Sequence, residues 1–129
     1  MGRVRKFSLG PRDKQIIKIL NVYLRDLKKK FPEIKAKKVM LLRKQDSYFK
    51  TCMAYVELDS KLIRIATRSR VGMWYSKWEE LDSLAHEAAH TCFVDVNHGH
   101  GEDFWKLHYK FANYIFNTIH NRRKDLWRL

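Results

Sequence analysis

His86, Glu87 and His90 stand in the string His86-Glu87-Ala88-Ala89-His90, and His100 follows within Asn97-His98-Gly99-His100-Gly101-Glu102-Asp103-Phe104. Residues four apart on a helix share a face, so His86 and His90 can offer two imidazole nitrogens to one metal ion. Glu87 is then left beside the metal, free to act as a base. Two histidines on one turn with a carboxylate next to the first are how a zinc peptidase activates water. A five-residue pattern with three fixed positions also arises by chance, so its flanks decide. Upstream, Trp78, Leu81, Leu84, Ala85, Ala88 and Cys92 recur at three- and four-residue spacing without an intervening proline, which predicts a helix with one buried face over residues 77–93. Glu79, Glu80 and Asp82 fall near its positive end. Downstream, residues 95–101 read as a return loop in which Gly99 and Gly101 bracket His100, able to carry a third imidazole back to the first two. Three protein ligands leave a fourth zinc position for water, which separates a catalytic site from a closed structural one.

These strings resemble those of the SprT-like (Spartan-type) metallopeptidases, in which HExxH is followed by a third histidine in an HGxxF string at the start of the next helix. Here that string is His100-Gly101-Glu102-Asp103-Phe104. The chain is also similar to the related WLM peptidases and to the small minigluzincins of archaea and bacteria. The likeness runs from about residue 12 to about residue 120, and only the metal strings are specific. It implies a zincin-like α+β domain with an N-terminal helix, a three-stranded, mostly antiparallel sheet, the HExxH helix, a loop with the third ligand, and a C-terminal helix. It further implies that His86, His90 and His100 bind zinc and that Glu87 is the general base. Two departures stand out. Spartan continues into further modules that these 129 residues do not include. In gluzincin-type enzymes the third ligand is a glutamate on a following helix, which makes Glu102 a rival to His100; the HGxxF position favours His100.

At 129 residues and 15.6 kDa, with 45% hydrophobic residues, the chain is long enough for one domain with its own core. Cys52 and Cys92 form no CxxC pair, and two reduced core thiols fit a cytoplasmic protein. The start Met1-Gly2-Arg3-Val4-Arg5-Lys6 is basic, yet no apolar stretch follows it, and no run approaches membrane-spanning length. The net charge of +13 is lopsided: residues 1–50 hold 16 Lys or Arg against 4 Asp or Glu, and the remainder 11 against 10. A one-sided basic surface suits a polyanion such as DNA, because each Lys or Arg set on a phosphate releases a counterion. The plainer alternative is a solvated face, and no base-reading motif accompanies the charge.

The first ten residues make a flexible basic arm that closes on Gly10-Pro11, where a helix starts, since proline at the first helical position costs no hydrogen bond. Asp13 favours the positive end of that helix. Ile16, Leu20, Tyr23, Leu27 and Phe31 form its core stripe. Lys14, Lys18, Asn21, Arg25 and Lys28 face the other way as candidate phosphate contacts, and Pro32 ends the helix near Lys30. Residues 34–42 read as a first strand and 45–47 as a turn. Residues 53–58 and 62–67 then read as two short strands joined across Asp59-Ser60. By resemblance to zinc peptidases, the strand holding Ile63, Arg64 and Ile65 is an edge above the metal, where a substrate could add as an antiparallel strand. An ordinary edge blunted by Arg64 and Arg68 is the alternative. Met73, Trp74 and Tyr75 either rim a cleft or pack.

The last helix covers residues 102–120 with Phe104, Leu107, Phe111, Ile115 and Ile119 buried. His108 and His120 lie outside the metal spacing and read as ordinary helix residues, whereas His98 could touch substrate or simply sit on a loop. In the tail, residues 121–129, the minigluzincin likeness suggests that Leu126 to Leu129 plug the site and keep the enzyme latent; the alternative is Trp127 packing back on the body. The reading that joins these features is a zinc-dependent metalloendopeptidase acting on peptide or protein substrates: DNA-associated proteins if the basic half counts, or a self-latent or general intracellular peptidase if the zinc strings stand alone. A zinc-stabilised basic nucleic-acid-binding protein without catalysis is the other class, and it leaves Glu87 without a purpose.

Overall fold

The computed structural model describes residues 10–42, 52–57, 59–93 and 100–129. The arm up to residue 9, the turn expected at 45–47, Leu58, Asp95 and His98 lie outside these. The elements are α1 (Pro11–Lys30), β1 (Lys38–Leu41), β2 (Ala54–Glu57), β3 (Leu62–Ile65), α2 (Lys77–His90) and α3 (Glu102–Tyr114). From α3 the chain runs on through one π turn (Ile115–Ile119), a last α turn (His120–Arg123) and a 3-10 turn (Lys124–Trp127). The architecture is α+β, helices against a small three-stranded sheet.

Helix α1 has the expected bounds, and its stripe Ile16, Leu20, Tyr23, Leu27 and Phe31 is buried. Asp13 does more than complement a dipole. It is fully buried, accepts the Gly10 N–H at 2.9 Å, and takes hydrogen bonds from Thr67 Oγ1 at 2.6 Å and the Arg68 guanidinium at 2.9 Å. The start of α1 is thereby tied to the segment leaving β3. Asn21, grouped by sequence with the outward cations, turns its amide onto β1 instead: its Nδ2 donates to the Val39 carbonyl at 2.9 Å and its Oδ1 accepts the Val39 N–H at 2.8 Å.

Strand order is β1-β3-β2, with β3 parallel to β1 and antiparallel to β2, so that Ile63 lies between Val39 and Val56. Two expectations are corrected here. The sheet is mixed, not mostly antiparallel, because β2 takes the far side of β3 and leaves the near side to the parallel partner β1. Ile63, Arg64 and Ile65 are not an edge: β3 is the central strand with backbone partners on both sides, Ile63 and Ile65 are wholly buried, and Arg64 pairs with Glu57 at 2.7 Å. No substrate strand can add there. The hairpin across Asp59-Ser60 forms as expected, closed by the Lys61 N–H on the Glu57 carbonyl at 2.8 Å with Lys61 in the left-handed region at φ 59°.

The main core joins one face of the sheet to α1, α2, α3 and the π turn, while Leu42 and Ala66 form a smaller cluster with Tyr55, Cys52 and Tyr75. Neither cysteine is in a disulfide. The tail does not plug a cleft. Trp127 packs back on the body, its indole N–H donating to the Tyr23 hydroxyl at 2.9 Å, and that hydroxyl shares a hydrogen bond with His120 Nδ1 at 2.9 Å. Leu126 and Leu129 are left exposed at 40% and 45%. No helix among the described residues is long and apolar enough to cross a membrane.

Glu80 also departs from its expected place at an exposed helix start. It is fully buried, neither carboxyl oxygen has a hydrogen-bond partner among the described residues, and burial pushes its pKa from 4.5 up to about 9. The folded chain therefore keeps a proton that the unfolded chain releases above pH 4.5, so stability falls as pH rises from there towards 9. Glu80→Gln should melt with the wild type below pH 4.5 and above it at pH 7, by on the order of 3 kcal/mol. Parallel melting curves at both pH values would show the carboxyl to be solvated.

Candidate metal centre

Helix α2 starts at a reciprocal cap: the Glu79 N–H donates to Ser76 Oγ at 3.2 Å and the Ser76 N–H donates to the Glu79 carboxylate at 2.9 Å. From that start Leu81, Leu84, Ala85 and Ala88 fall on the core side, fully buried. His86 and His90 then fall on the flank that meets α3, one turn apart with ring centroids at 5.0 Å. Helix α3 begins immediately after Gly101, which brings His100 to the same place: its Nε2 is 3.1 Å from Nε2 of His90, and its ring lies 4.9 Å from that of His86. Phe104, one turn into α3 and wholly buried, backs all three imidazoles at centroid distances of 4.8, 4.4 and 4.8 Å.

One ligand nitrogen from each of His86, His90 and His100 lies within 4.8 Å of the others, so these three histidines can hold a metal ion. Zinc suits the donor set. Tetrahedral zinc with nitrogens at 2.0–2.1 Å holds them about 3.3 Å apart, close to the 3.1 Å between His90 and His100. Burial first, then the neighbouring His90, His108 and His100, push the pKa of His86 down to about 4, so the ring is the neutral form a metal requires. Glu87 is only 6% exposed, and burial raises its carboxyl to about 7; a bound cation acts in the opposite direction and favours the carboxylate. Glu102, the rival third ligand, stands apart: its side chain is 83% exposed and pairs with Lys106 at 3.2 Å.

His108 was missed as a site residue by spacing. It is buried on α3, with Nδ1 at 3.3 Å from His86 Nδ1 and Nε2 at 3.0 Å from the Asp82 carboxylate. The signal available was its place on the stripe Phe104, His108, Phe111, Ile115. Trp105 was missed too; its ring lies 5.7 Å from His86 and 5.6 Å from His100. The Arg12 and Arg68 guanidinium groups each lie 4.6 Å from the Trp74 ring. Cys92 is no rival donor, because burial pushes its thiol up to about 11.

Away from the triad, Lys14, Lys18 and Arg25 are exposed along α1 and Lys28 is half-buried. They border two adjoining grooves that share Asn21, one of about 680 Å³ beside Lys14, Lys18 and Lys38, the other of about 350 Å³ beside Arg25, Lys28 and Lys37. Comparison of the chain with protein-family models, curated proteins and solved structures finds no match. What characterises it is the site itself, three convergent imidazoles and a buried carboxylate on an α+β scaffold.

Proposed function

We propose that this chain is a zinc-dependent metalloendopeptidase of the SprT-like kind. The observation that carries the reading is the convergence of His86, His90 and His100 with Glu87 adjacent to the first of them on α2. Bound zinc supplies Lewis acidity, lowering the pKa of a water towards ~7 and polarising the scissile carbonyl. Glu87, buried on α2, takes the water's proton and returns it to the leaving amine. Phe104 keeps the three rings at a common distance. Met53, just before β2, meets Ser83, one turn before Glu87, at 3.3 Å.

Chelation tests the reading. Stripping the metal should abolish cleavage of an unstructured protein such as casein, and added zinc should restore it; cleavage indifferent to chelator would sink the proposal.

The basic face of α1 supports a substrate class of DNA-associated proteins. Neutralising Lys14, Lys18, Arg25 and Lys28 together should weaken DNA binding uniformly across sequences and flatten its salt dependence by roughly one slope unit per residue. A binding constant that ignores salt would remove phosphate contact from the account. A zinc-stabilised nucleic-acid-binding protein without catalysis would explain that face but not a carboxylate buried beside the triad.

A further inference from the structure

His108 joins a row of three side chains that alternates between helices: Asp82 and His86 are one turn apart on α2, and α3 inserts His108 between them. The outer side of the His108 ring is covered by Trp105, stacked at 5.3 Å and 24°. With Asp82 ionised and His108 neutral, the places of the hydrogens follow. An ionised carboxylate only accepts, so the His108 nitrogen facing Asp82, Nε2, carries a hydrogen. In a neutral imidazole the other nitrogen then has a lone pair and can only accept. The hydrogen between the two Nδ1 atoms, 3.3 Å apart, therefore belongs to His86. That leaves the His86 lone pair on Nε2, the nitrogen His108 does not engage.

We propose that Asp82 and His108 are positioning residues that hold His86 in its metal-ligating tautomer and ring angle. The inference rests on the zinc site proposed above and extends it. Outer partners of this kind set the basicity and orientation of a ligand histidine. Here the partner comes from the helix that also carries His100 at its threshold, so the packing of α3 on α2 sets two of the three ligands at once. Asp82 reaches the His86 ring through His108.

Zinc titration against a competing chelator tests this without reference to hydrolysis. Asp82 is 58% exposed, so Asp82→Ala should leave the metal-free fold intact and raise the zinc Kd about tenfold. His108→Ala should raise it by up to about 100-fold, and His108→Gln, which offers both a carbonyl oxygen and an amide N–H, should recover part of the loss. The double variant Asp82→Ala/His108→Ala should bind no more weakly than His108→Ala, because Asp82 acts only through His108. Nitrogen-15 spectra of the zinc-loaded protein should place the His86 hydrogen on Nδ1. Wild-type affinity in Asp82→Ala, additive losses in the pair, or a His86 hydrogen on Nε2 each overturn the relay while leaving the zinc site standing. A wild-type chain that takes up no zinc overturns both. Zinc bound with these penalties but without hydrolysis supports the relay and removes only the peptidase.

Discussion

Glu87→Gln should stop the proposed hydrolysis and leave zinc binding intact. The substitution keeps the shape of a side chain that is only 6% exposed and removes its ability to take a proton. Because the three nitrogens that could hold zinc come from other residues, zinc content should stay at the wild-type level. Turnover should fall by about 10²–10⁴-fold, the usual contribution of a general base. Measuring both quantities on one preparation matters. Unchanged turnover would take Glu87 out of the mechanism, and joint loss of zinc and turnover would make it a structural residue. The neutral isostere should not unfold the chain, since burial already raises the glutamate to about 7.

His100→Ala and Glu102→Ala separate the two candidate third ligands. His100 faces His90 across 3.1 Å, whereas Glu102 points outward to Lys106. Removing His100 should therefore weaken zinc binding by more than the roughly 10–100-fold that an outer partner costs. Glu102→Ala should keep full zinc content and lose only an exposed ion pair, worth a few tenths of a kcal/mol. The reverse pattern would assign the third ligand to Glu102 and put the site in the gluzincin arrangement.

The helices were legible because their signals are redundant. In α1 a proline at the first turn, a five-membered apolar stripe and Pro32 after the end all agree with the observed bounds. In α2 the histidine spacing and the apolar stripe select the same helix, although it stops at His90, three residues before its expected end. Strand order was not legible. Each strand is four residues long, and composition reports burial without naming the neighbour. Arg64 looked like a charge that blunts an edge. In the fold it lies diagonally across from Glu57, which neutralises it, and a paired charge can sit on a central strand. His108 and Glu80 escaped for a different reason: ligand spacing and dipole arguments examine one element at a time, and both residues owe their surroundings to a second element packed against theirs.

The amide of Asn21 has a consequence for how copies of this chain meet. By occupying both the donor and the acceptor of Val39, it does for the outer strand what a neighbouring strand from another molecule would otherwise do. Stacking into an endless ribbon needs two sticky sides per molecule, and at this position one side is closed. With Val39 closed in this way, β1 offers a second copy of the chain no free backbone pair at that position. Asn21→Val reopens the second side.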